Sequence, residues 1–498
     1  MKVEDVAAPE DLSSFRQQLM EIIENRPLSV RTEHPAWTRD QIADSASGEA
    51  AEVLRRGSPA DRPGPQQGGQ VACQVSVNRE GEFLPLVPDS LPELGIRDTD
   101  IEGLILKFLM NCGPNPGAEI ARQIRLPLPL ISGVLRELKE ERLVVYKSSA
   151  PAGDYVYEIT ESGCERTRQH LKQSTYFGAA PVSLEDYTSS VSAQSVRNQN
   201  PKIADLRAAL HDLTVGEEVI AQLAQAANSG LGLFLYGASG NGKTSIASRI
   251  TRAFGQAIWI PRAISVAGSI IRLYDPNSHE ELPLDGEKLR DSGRIDQRWI
   301  RIRRPTIVVG GELTMDNLEV SVNRVTGISE APIQLKSNCG TLAIDDFGRQ
   351  RISPAELLNR WIMPLEKRHD ILNLANGRKV EVPFDQLLVF STNLEPRDLV
   401  DEAFLRRIPY KVDVKNPSED EFRRLIRQLA GEQEIKYCDG PVDYLLAKYY
   451  TAAEREMRYC HPRDLLHQVS TYCTVLDLPR EITDEAIDAA AKNYFSLL

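Results

Sequence analysis

The sequence predicts an α/β protein whose parallel sheet is followed by a helical C-terminal portion and preceded by a smaller α+β domain. Short, continuously apolar runs at 231–236 (LGLFLY), 341–347 (TLAIDDF) and 386–393 (QLLVFSTN) suit strands buried on both faces of a parallel sheet. Helical stretches separate these runs, as expected when helices layer against such a sheet. After Val414 the pattern turns helical: Ser418 and Glu421 are spaced as a capping box before FRRLIRQL, and further helical segments start near Val442, Arg463 and Asp484.

At 498 residues the chain is too long for one ordinary core, and ~100–200 residues per domain points to about three domains. A composition of 41% hydrophobic and 26% charged residues is that of a soluble globular protein. Lys and Arg number 59 against 71 Asp and Glu, a net charge of -12, which argues against a bulk basic surface for nucleic acid and leaves room only for a local strip. No apolar run approaches the ~18–20 residues that span a bilayer, and the start, MKVEDVAAPEDLSS, is acidic and unlike a signal peptide. A cytoplasmic protein without membrane insertion is expected. The seven cysteines are scattered without a C-x-x-C pair, which disfavours a disulfide scaffold or a zinc site.

Residues 1–96 are predicted to be a largely disordered tether with one short amphipathic helix in PEDLSSFRQQLMEIIENR, because SASGEAAEVLRRGSPADRPGPQQGGQ holds too little apolar surface to offset its ordering entropy. Over 97–172, IEGLILKFLMN, GAEIARQI and PLISGVLRELKEERL have helical spacing, VVYKSS and YVYEIT flank a Pro/Gly/Asp turn, and ESGCERTRQHLKQ returns to helix. Three helices, a hairpin and a closing helix, with the pattern E-I-A...L-x-x-L-x-E-L-x-x-x-x-L-V, resemble a winged-helix domain. Its about eleven basic and eleven acidic residues provide no net attraction to phosphate. Protein docking or oligomer contact is therefore expected ahead of sequence-specific DNA binding or a scaffold role. Residues 173–202, including STYFGAAPVSLEDYTSSVSAQ, read as a linker into a 203–413 core and a 414–498 helical domain.

The chemistry concentrates in that second half. Gly237, Ala238, Ser239, Gly240, Asn241, Gly242, Lys243 and Thr244 fit G-x-x-x-x-G-K-[ST], with a predicted strand before them and a helix opening at Ser245. The glycines let backbone N–H groups turn inward around phosphate oxygens, Lys243 can reach the β- and γ-phosphates, and Thr244 can ligate Mg²⁺. Asp345 and Asp346 end an apolar strand with consecutive like charges, which repel unless a cation or a reaction uses them. Asp345 is assigned to Mg²⁺ and Asp346 to the attacking water. Asn393, at the tip of the third apolar run, can bond that water or the γ-phosphate. Arg406 and Arg407 follow in FLRR, and Arg463 lies in the first turn of a helix opened by His461 and Pro462, where a cation opposes the helix dipole.

GASGNGKT, LAIDDF, STN, FLRR and HPR, in that order, resemble an AAA+ ATPase, the ring-forming class of P-loop NTPase, over about residues 203–498. The resemblance implies Walker A and Walker B roles for the first two, sensor 1 for Asn393 and sensor 2 for Arg463. It implies that Arg406 or Arg407 is an arginine finger reaching the ATP of an adjacent subunit, in a ring that is expected to be hexameric. Two departures stand out: Walker B is Asp-Asp where the family usually has Asp-Glu, as in the initiator and helicase-loader clade, and the distance from Thr244 to Asp345 implies an insertion around 276–335.

Within that insertion, Trp299, Arg301 and Arg303 alternate with Ile300 and Ile302, so an aromatic among cations faces one way, either solvated, in a subunit contact or gripping a polyanion. Asn376-Gly377 within 371–384 predicts a hairpin whose Arg378 and Lys379 flank the turn, like the pre-sensor hairpin of one AAA+ clade. The expected function is ATP hydrolysis with ATP and Mg²⁺, driving remodelling or movement of a macromolecular target chosen by the N-terminal region, an unknown protein ahead of nucleic acid, which the charge does not favour. The alternative is a nucleotide-dependent DNA-binding regulator or loader-like switch with slow turnover.

Overall fold

The computed structural model describes residues 82–284 and 294–496, all within one compact unit that begins at Gln70. Its N-terminal part contains α1 (Asp98–Cys112), β1 (Asn115–Pro116), α2 (Gly117–Ile124), α3 (Leu128–Glu140), β2 (Val144–Ser149), β3 (Tyr155–Ile159) and α4 (Glu161–Leu171). Ile101, Leu104, Ile120, Ile131 and Leu135 come from the three successive helices and close one apolar core. The sheet order is β1-β3-β2, so Asn115 and Pro116 add a short edge strand to the hairpin. Thr160 caps α4 by accepting from the Gly163 N–H. A Cβ on Gly163 would lie 2.1 Å from the Leu143 carbonyl oxygen, so only glycine lets α4 close against β2.

The second half continues with β4 (Val182–Ser183), α5 (Leu184–Ala193), α6 (Ile203–Ala209), α7 (Glu217–Ser229), β5 (Leu233–Tyr236), α8 (Lys243–Arg249), β6 (Ala257–Pro261), β7 (Ala263–Val266), β8 (Ser269–Arg272), β9 (Trp299–Arg303) and β10 (Thr306–Val309). Then come β11 (Ser321–Val322), β12 (Ser329–Glu330), α9 (Ile333–Lys336), β13 (Thr341–Ile344), α10 (Pro354–Lys367), β14 (His369–Asn373), β15 (Lys379–Pro383), β16 (Leu387–Ser391), α11 (Pro396–Leu399), α12 (Glu402–Arg407) and β17 (Tyr410–Asp413). Five strands form a wholly parallel sheet in the order β10-β13-β16-β5-β17. Its three central strands are buried and carry the apolar runs. The sheet thus sets the C-terminal tips of β13 and β16 beside that of β5. The chain ends in α13 (Glu419–Glu432), α14 (Asp439–Leu445), α15 (His461–Val475) and α16 (Asp484–Phe495), with Ser418 and Glu421 forming the capping box. Their apolar faces share one core containing Phe422, Leu466 and Phe495.

Four expectations change. The short helix expected in the tether lies outside the described residues, but residues 82–96 are folded: Phe83 packs on Trp299 with ring centroids 5.4 Å apart, and Leu94 is buried. The linker 173–202 is also structured. β4 pairs with β7, α5 buries Tyr187, and Gln194 exchanges hydrogen bonds with both backbone groups of Trp259, at 2.9 and 2.6 Å. Its many Ser and Thr residues disguise Tyr187 and Val191, which share a helix face and find their apolar partners in distant segments. The insertion expected at 276–335 is not one block, because β10 lies inside it and belongs to the main sheet. The added strands begin earlier: β6 pairs with β9, and β7, β8, β11 and β12 form a second sheet with β4 of the 173–202 segment, in the order β11-β12-β8-β7-β4.

The fourth change concerns β9. Trp299 is buried against Phe83 and Ile295, and Ile300 and Ile302 pack on the other side. Arg303 is held by Glu280, and Arg301 donates to the Pro283 carbonyl oxygen at 2.8 Å. Trp299 is thus a core residue, Arg301 is half-buried, and Arg303 stays exposed beside Glu280, so the aromatic ring does not face solvent among the cations. Arg298 is buried and donates to both Asp296 carboxylate oxygens, at 2.7–3.1 Å, and to the Pro181 carbonyl oxygen at 3.0 Å. Removing one partner strands the other's charge. Asp296→Ala is expected to cost roughly 3–5 kcal/mol in denaturant unfolding, and the apolar pair Asp296→Leu with Arg298→Met to recover most of it.

At the start of α15, His461 Nδ1 lies 2.9 Å from the Tyr450 hydroxyl among aromatic rings. Burial, assisted by Arg458, pushes its imidazole down to about 4. The unfolded chain takes up that proton near the ordinary value of about 6.5, so the unfolded state binds more protons between these values. This contribution to stability is complete above about 6.5 and is lost as pH falls toward 4, by up to roughly 3 kcal/mol. Melting of the C-terminal helices followed between pH 7 and 4.5 should show this slope, and His461→Phe should flatten it.

Candidate functional site

The loop Gly237–Gly242 leaves β5 and enters α8 through three residues with positive φ: Gly237 at 129°, Gly240 at 84° and Gly242 at 80°. Gly240 is needed twice over, for its positive φ and because a Cβ there would lie 2.4 Å from the Cys460 Sγ. Its carbonyl oxygen accepts from the Cys460 N–H at 3.0 Å. The C-terminal helices thus touch the loop directly. Asn241 secures its other side, donating through Nδ2 to the Val414 carbonyl oxygen at 3.0 Å and to Asn416 Oδ1 at 2.9 Å.

Lys243 is buried. Its Nζ donates to the Gly237 and Ala238 carbonyl oxygens, both at 2.9 Å, and to Asn393 Oδ1 at 2.6 Å. Burial lowers its pKa, while Asp345 and Asp346 oppose that shift and keep the ammonium favourable. Thr244 Oγ1 donates to Asp345 at 2.8 Å, and Asn393 Nδ2 reaches Asp346 Oδ1 at 3.4 Å. Asp345 ends β13 with its N–H on the Val309 carbonyl oxygen, and Asp346 follows at φ 49°. That left-handed turn is held by Gln350, whose Nε2 donates to the Asp345 and Asp346 carbonyl oxygens at 2.7 and 3.1 Å.

Gly240, Asn241, Gly242, Lys243, Thr244, Asp345, Asp346 and Asn393 line a cavity of about 460 Å³ with Ser239, Ser245 and Arg463, whereas Gly237, Ala238 and Gln350 are not part of its lining. One wall is apolar, built from Leu213 and Val215 before α7 and from Leu425 and Leu429 on α13. The candidate residues Lys243, Thr244, Asp345, Asp346, Asn393 and Arg463 therefore meet in one place. Arg406 and Arg407 do not line it. Arg407 donates to Glu366 at 2.7 Å and to the Ala403 carbonyl oxygen at 3.0 Å, whereas Arg406 is 78% exposed and has a 3.6 Å pairing with Glu402. Sequence reasoning missed Gln350 and the apolar wall. An amide five residues past a carboxylate carries no local signal, and leucines from two distant segments look like any core residues.

Chemically, the cavity has inward-turning loop backbone and an ammonium for anionic oxygens, and a hydroxyl and a carboxylate for a hard cation. An all-oxygen donor set suits Mg²⁺. Among the described residues no group of three His, Cys, Asp or Glu residues is arranged to hold a metal by itself, and no helix is long and apolar enough to cross a membrane.

The parallel five-stranded sheet with this loop fits an α/β P-loop NTPase core. A family described as "Domain of unknown function (DUF8689)" matches residues 418–493, the span of the C-terminal helices. No curated protein matches the chain. Among solved structures, the Thermotoga maritima RuvB Holliday junction branch migration motor is similar at 14% identity and a TM-score of 0.33, covering 58% of this chain and 73% of that one. NtrX from Brucella abortus is similar at 14% identity and a TM-score of 0.35, covering 57% of this chain and 56% of that one. NtrX in complex with ATP gives 15% identity and a TM-score of 0.35, with coverages of 59% and 60%. At these TM-scores the likenesses carry no argument, and the functional reading rests on the cavity.

Proposed function

We propose that this chain is an ATPase of the AAA+ type that assembles into a ring and remodels or moves a macromolecular target selected by its N-terminal part. The observation that carries this reading is the meeting of Lys243, Thr244, Asp345, Asp346, Asn393 and Arg463 around one cavity, although they come from four separate stretches of chain. In this reading Lys243 leaves the Gly237 and Ala238 carbonyls for the β- and γ-phosphates, and the loop N–H groups take the remaining oxygens. Thr244 and Asp345 would hold Mg²⁺, which would neutralise charge on the phosphates. Asp346 orients and deprotonates the attacking water, with Asn393 bonded to both Lys243 and Asp346 so that water and phosphate stay in line. Residues 414–498 act as a lid, and residues 97–172 as a winged helix that docks a protein. The exposed Arg378 and Lys379 at the β14–β15 hairpin tip are candidates for contact with the target.

A guanidinium from a neighbouring copy would complete the charge balance. Arg406 suits that task because its guanidinium is nearly uncommitted, while Arg407 braces α12 to α10 through Glu366. A second reading, a switch with slow turnover, is favoured by Asp346: a shorter carboxylate than glutamate, on left-handed backbone, reaches less far toward a water.

Calorimetry should detect binding of an adenine nucleotide, and Lys243→Ala should weaken it by at least about tenfold, since a charge-assisted contact contributes ~1.5–3 kcal/mol. Asp346→Asn should retain binding and lose phosphate release. Failure of the intact chain to bind any adenine nucleotide would overturn the reading, and a low basal rate that Asp346→Asn leaves unchanged would favour the switch. Arg406→Ala should lower phosphate release by roughly 10³-fold with nucleotide binding retained. Mixing that variant with the Asp346→Asn variant should restore part of the activity, because each supplies what the other lacks across a shared site.

A further inference from the structure

Arg463 borders the nucleotide cavity and is already tethered. Its Nε donates to Asp464 Oδ1 at 3.1 Å, and among the described residues its two terminal nitrogens, Nη1 and Nη2, have no hydrogen-bond partner. The tether is itself anchored. Asp464 Oδ2 accepts from the Tyr494 hydroxyl of α16 at 3.0 Å, and that hydroxyl lies 3.7 Å from the Cys460 Sγ. Cys460 in turn bonds the Gly240 carbonyl oxygen through its backbone. A chain of contacts therefore runs from the phosphate loop through Cys460, Tyr494 and Asp464 back to Arg463 at the same cavity.

Two physical points give the arrangement a purpose. A cation in the first turn of α15 opposes the helix dipole, whereas Asp464 in that turn is favoured by it and offsets Arg463. A free carboxylate beside bound phosphates would repel them. Asp464 is instead committed on both oxygens, one to the Arg463 guanidinium and one to the Tyr494 O–H. A guanidinium held at Nε by a carboxylate also loses little further freedom when its terminal nitrogens engage phosphate.

We propose that Asp464, anchored by Tyr494, is the positioning residue for Arg463: it holds Nε and leaves Nη1 and Nη2 for the terminal phosphate of the bound nucleotide. This rests on the nucleotide reading above and goes beyond it, because neither Asp464 nor Tyr494 has a role in binding or hydrolysis there. Only a triphosphate presents the group that Arg463 meets, so discrimination between tri- and diphosphate is the quantity these two residues control.

The test is calorimetric titration of the full chain with a β,γ-imido ATP analogue and, separately, with ADP, both with Mg²⁺, for the native chain and for Asp464→Ala, Asp464→Asn, Tyr494→Phe and Arg463→Ala. Asp464→Ala should weaken the triphosphate roughly three- to tenfold and leave ADP within about twofold, the range expected for losing a half-exposed ion pair. Tyr494→Phe should act in the same direction but less, and Asp464→Asn, which keeps an accepting oxygen, should restore part of the loss. Equal shifts for both nucleotides, no shift in either, or tighter triphosphate binding would overturn the proposal. If Asp464→Ala does not fold, Tyr494→Phe, which removes one hydroxyl, decides the matter. If the native chain binds neither nucleotide, the nucleotide reading itself fails. If it binds both and Arg463→Ala keeps the native preference, this proposal alone falls.

Discussion

A buried ammonium is the constraint around which the second half of this protein is arranged. Lys243 is withdrawn from water, and a charge so placed is tolerated only with partners on several sides. Two carbonyl oxygens of its own loop and the Asn393 amide supply the hydrogen bonds, and Asp345 and Asp346 supply the opposing charge. Each partner imposes a requirement elsewhere. The carbonyls turn inward only because three glycines adopt positive φ, and the acids and the amide arrive only because β13 and β16 lie beside β5. The same set of groups that compensates the lysine is the one that phosphate oxygens and a divalent cation would displace or share, so preservation of the charge and readiness for an anionic ligand have one structural cause.

The added strands are tied to this core by polar contacts. Asp385, at the entrance to β16, accepts from Ser195 Oγ at 2.9 Å and the Val196 N–H at 3.2 Å, and its own N–H donates to Asn338 Oδ1 at 2.8 Å. Arg304 bonds the Gln194 and Cys339 carbonyl oxygens at 2.9 and 2.6 Å. Hydrogen bonds between buried polar groups are directional, so they set an angle between layers that apolar packing alone would leave loose. In the stripe weighed as a grip on a polyanion, Trp299 is covered and Arg301 and Arg303 contact the Pro283 carbonyl oxygen and Glu280, while the flanking Arg298 and Arg304 sit inside.

Much of the cavity lining is legible in the sequence, for a local reason. A glycine-rich stretch between an apolar run and a helix, two carboxylates ending a strand, and a polar tip on another strand are each written within a few adjacent residues. The segment 173–202 shows the opposite case. Tyr187 and Val191 sit among Ser, Thr and Asp, and nothing nearby distinguishes them from linker residues. Their partners, such as Ile264 and Leu335, lie more than seventy residues away. β10 escaped notice for a related reason: TIVV is a short apolar run at the edge of the sheet, partly exposed, between stretches of similar composition. The leucines of the cavity wall are indistinguishable in type from those of the core, and only the shape around them separates the two.

The amino-acid order alone determined the glycine-rich turn between strand and helix, the paired acids at a strand end, the amide tip, the hairpin at Asn376-Gly377 and the capping box at Ser418 and Glu421. Each depends on backbone freedom, charge or hydrogen bonding among residues a few positions apart. The folded arrangement decided which strands neighbour one another, that Gln350 props the turn at Asp346, that Arg463 enters the cavity while Arg406 and Arg407 do not, and that Trp299 is covered. Apart from the Gln350 contact, which is close in sequence, those outcomes depend on segments tens to hundreds of residues apart meeting, and such a meeting is governed by the joint fit of all layers, which no single stretch contains.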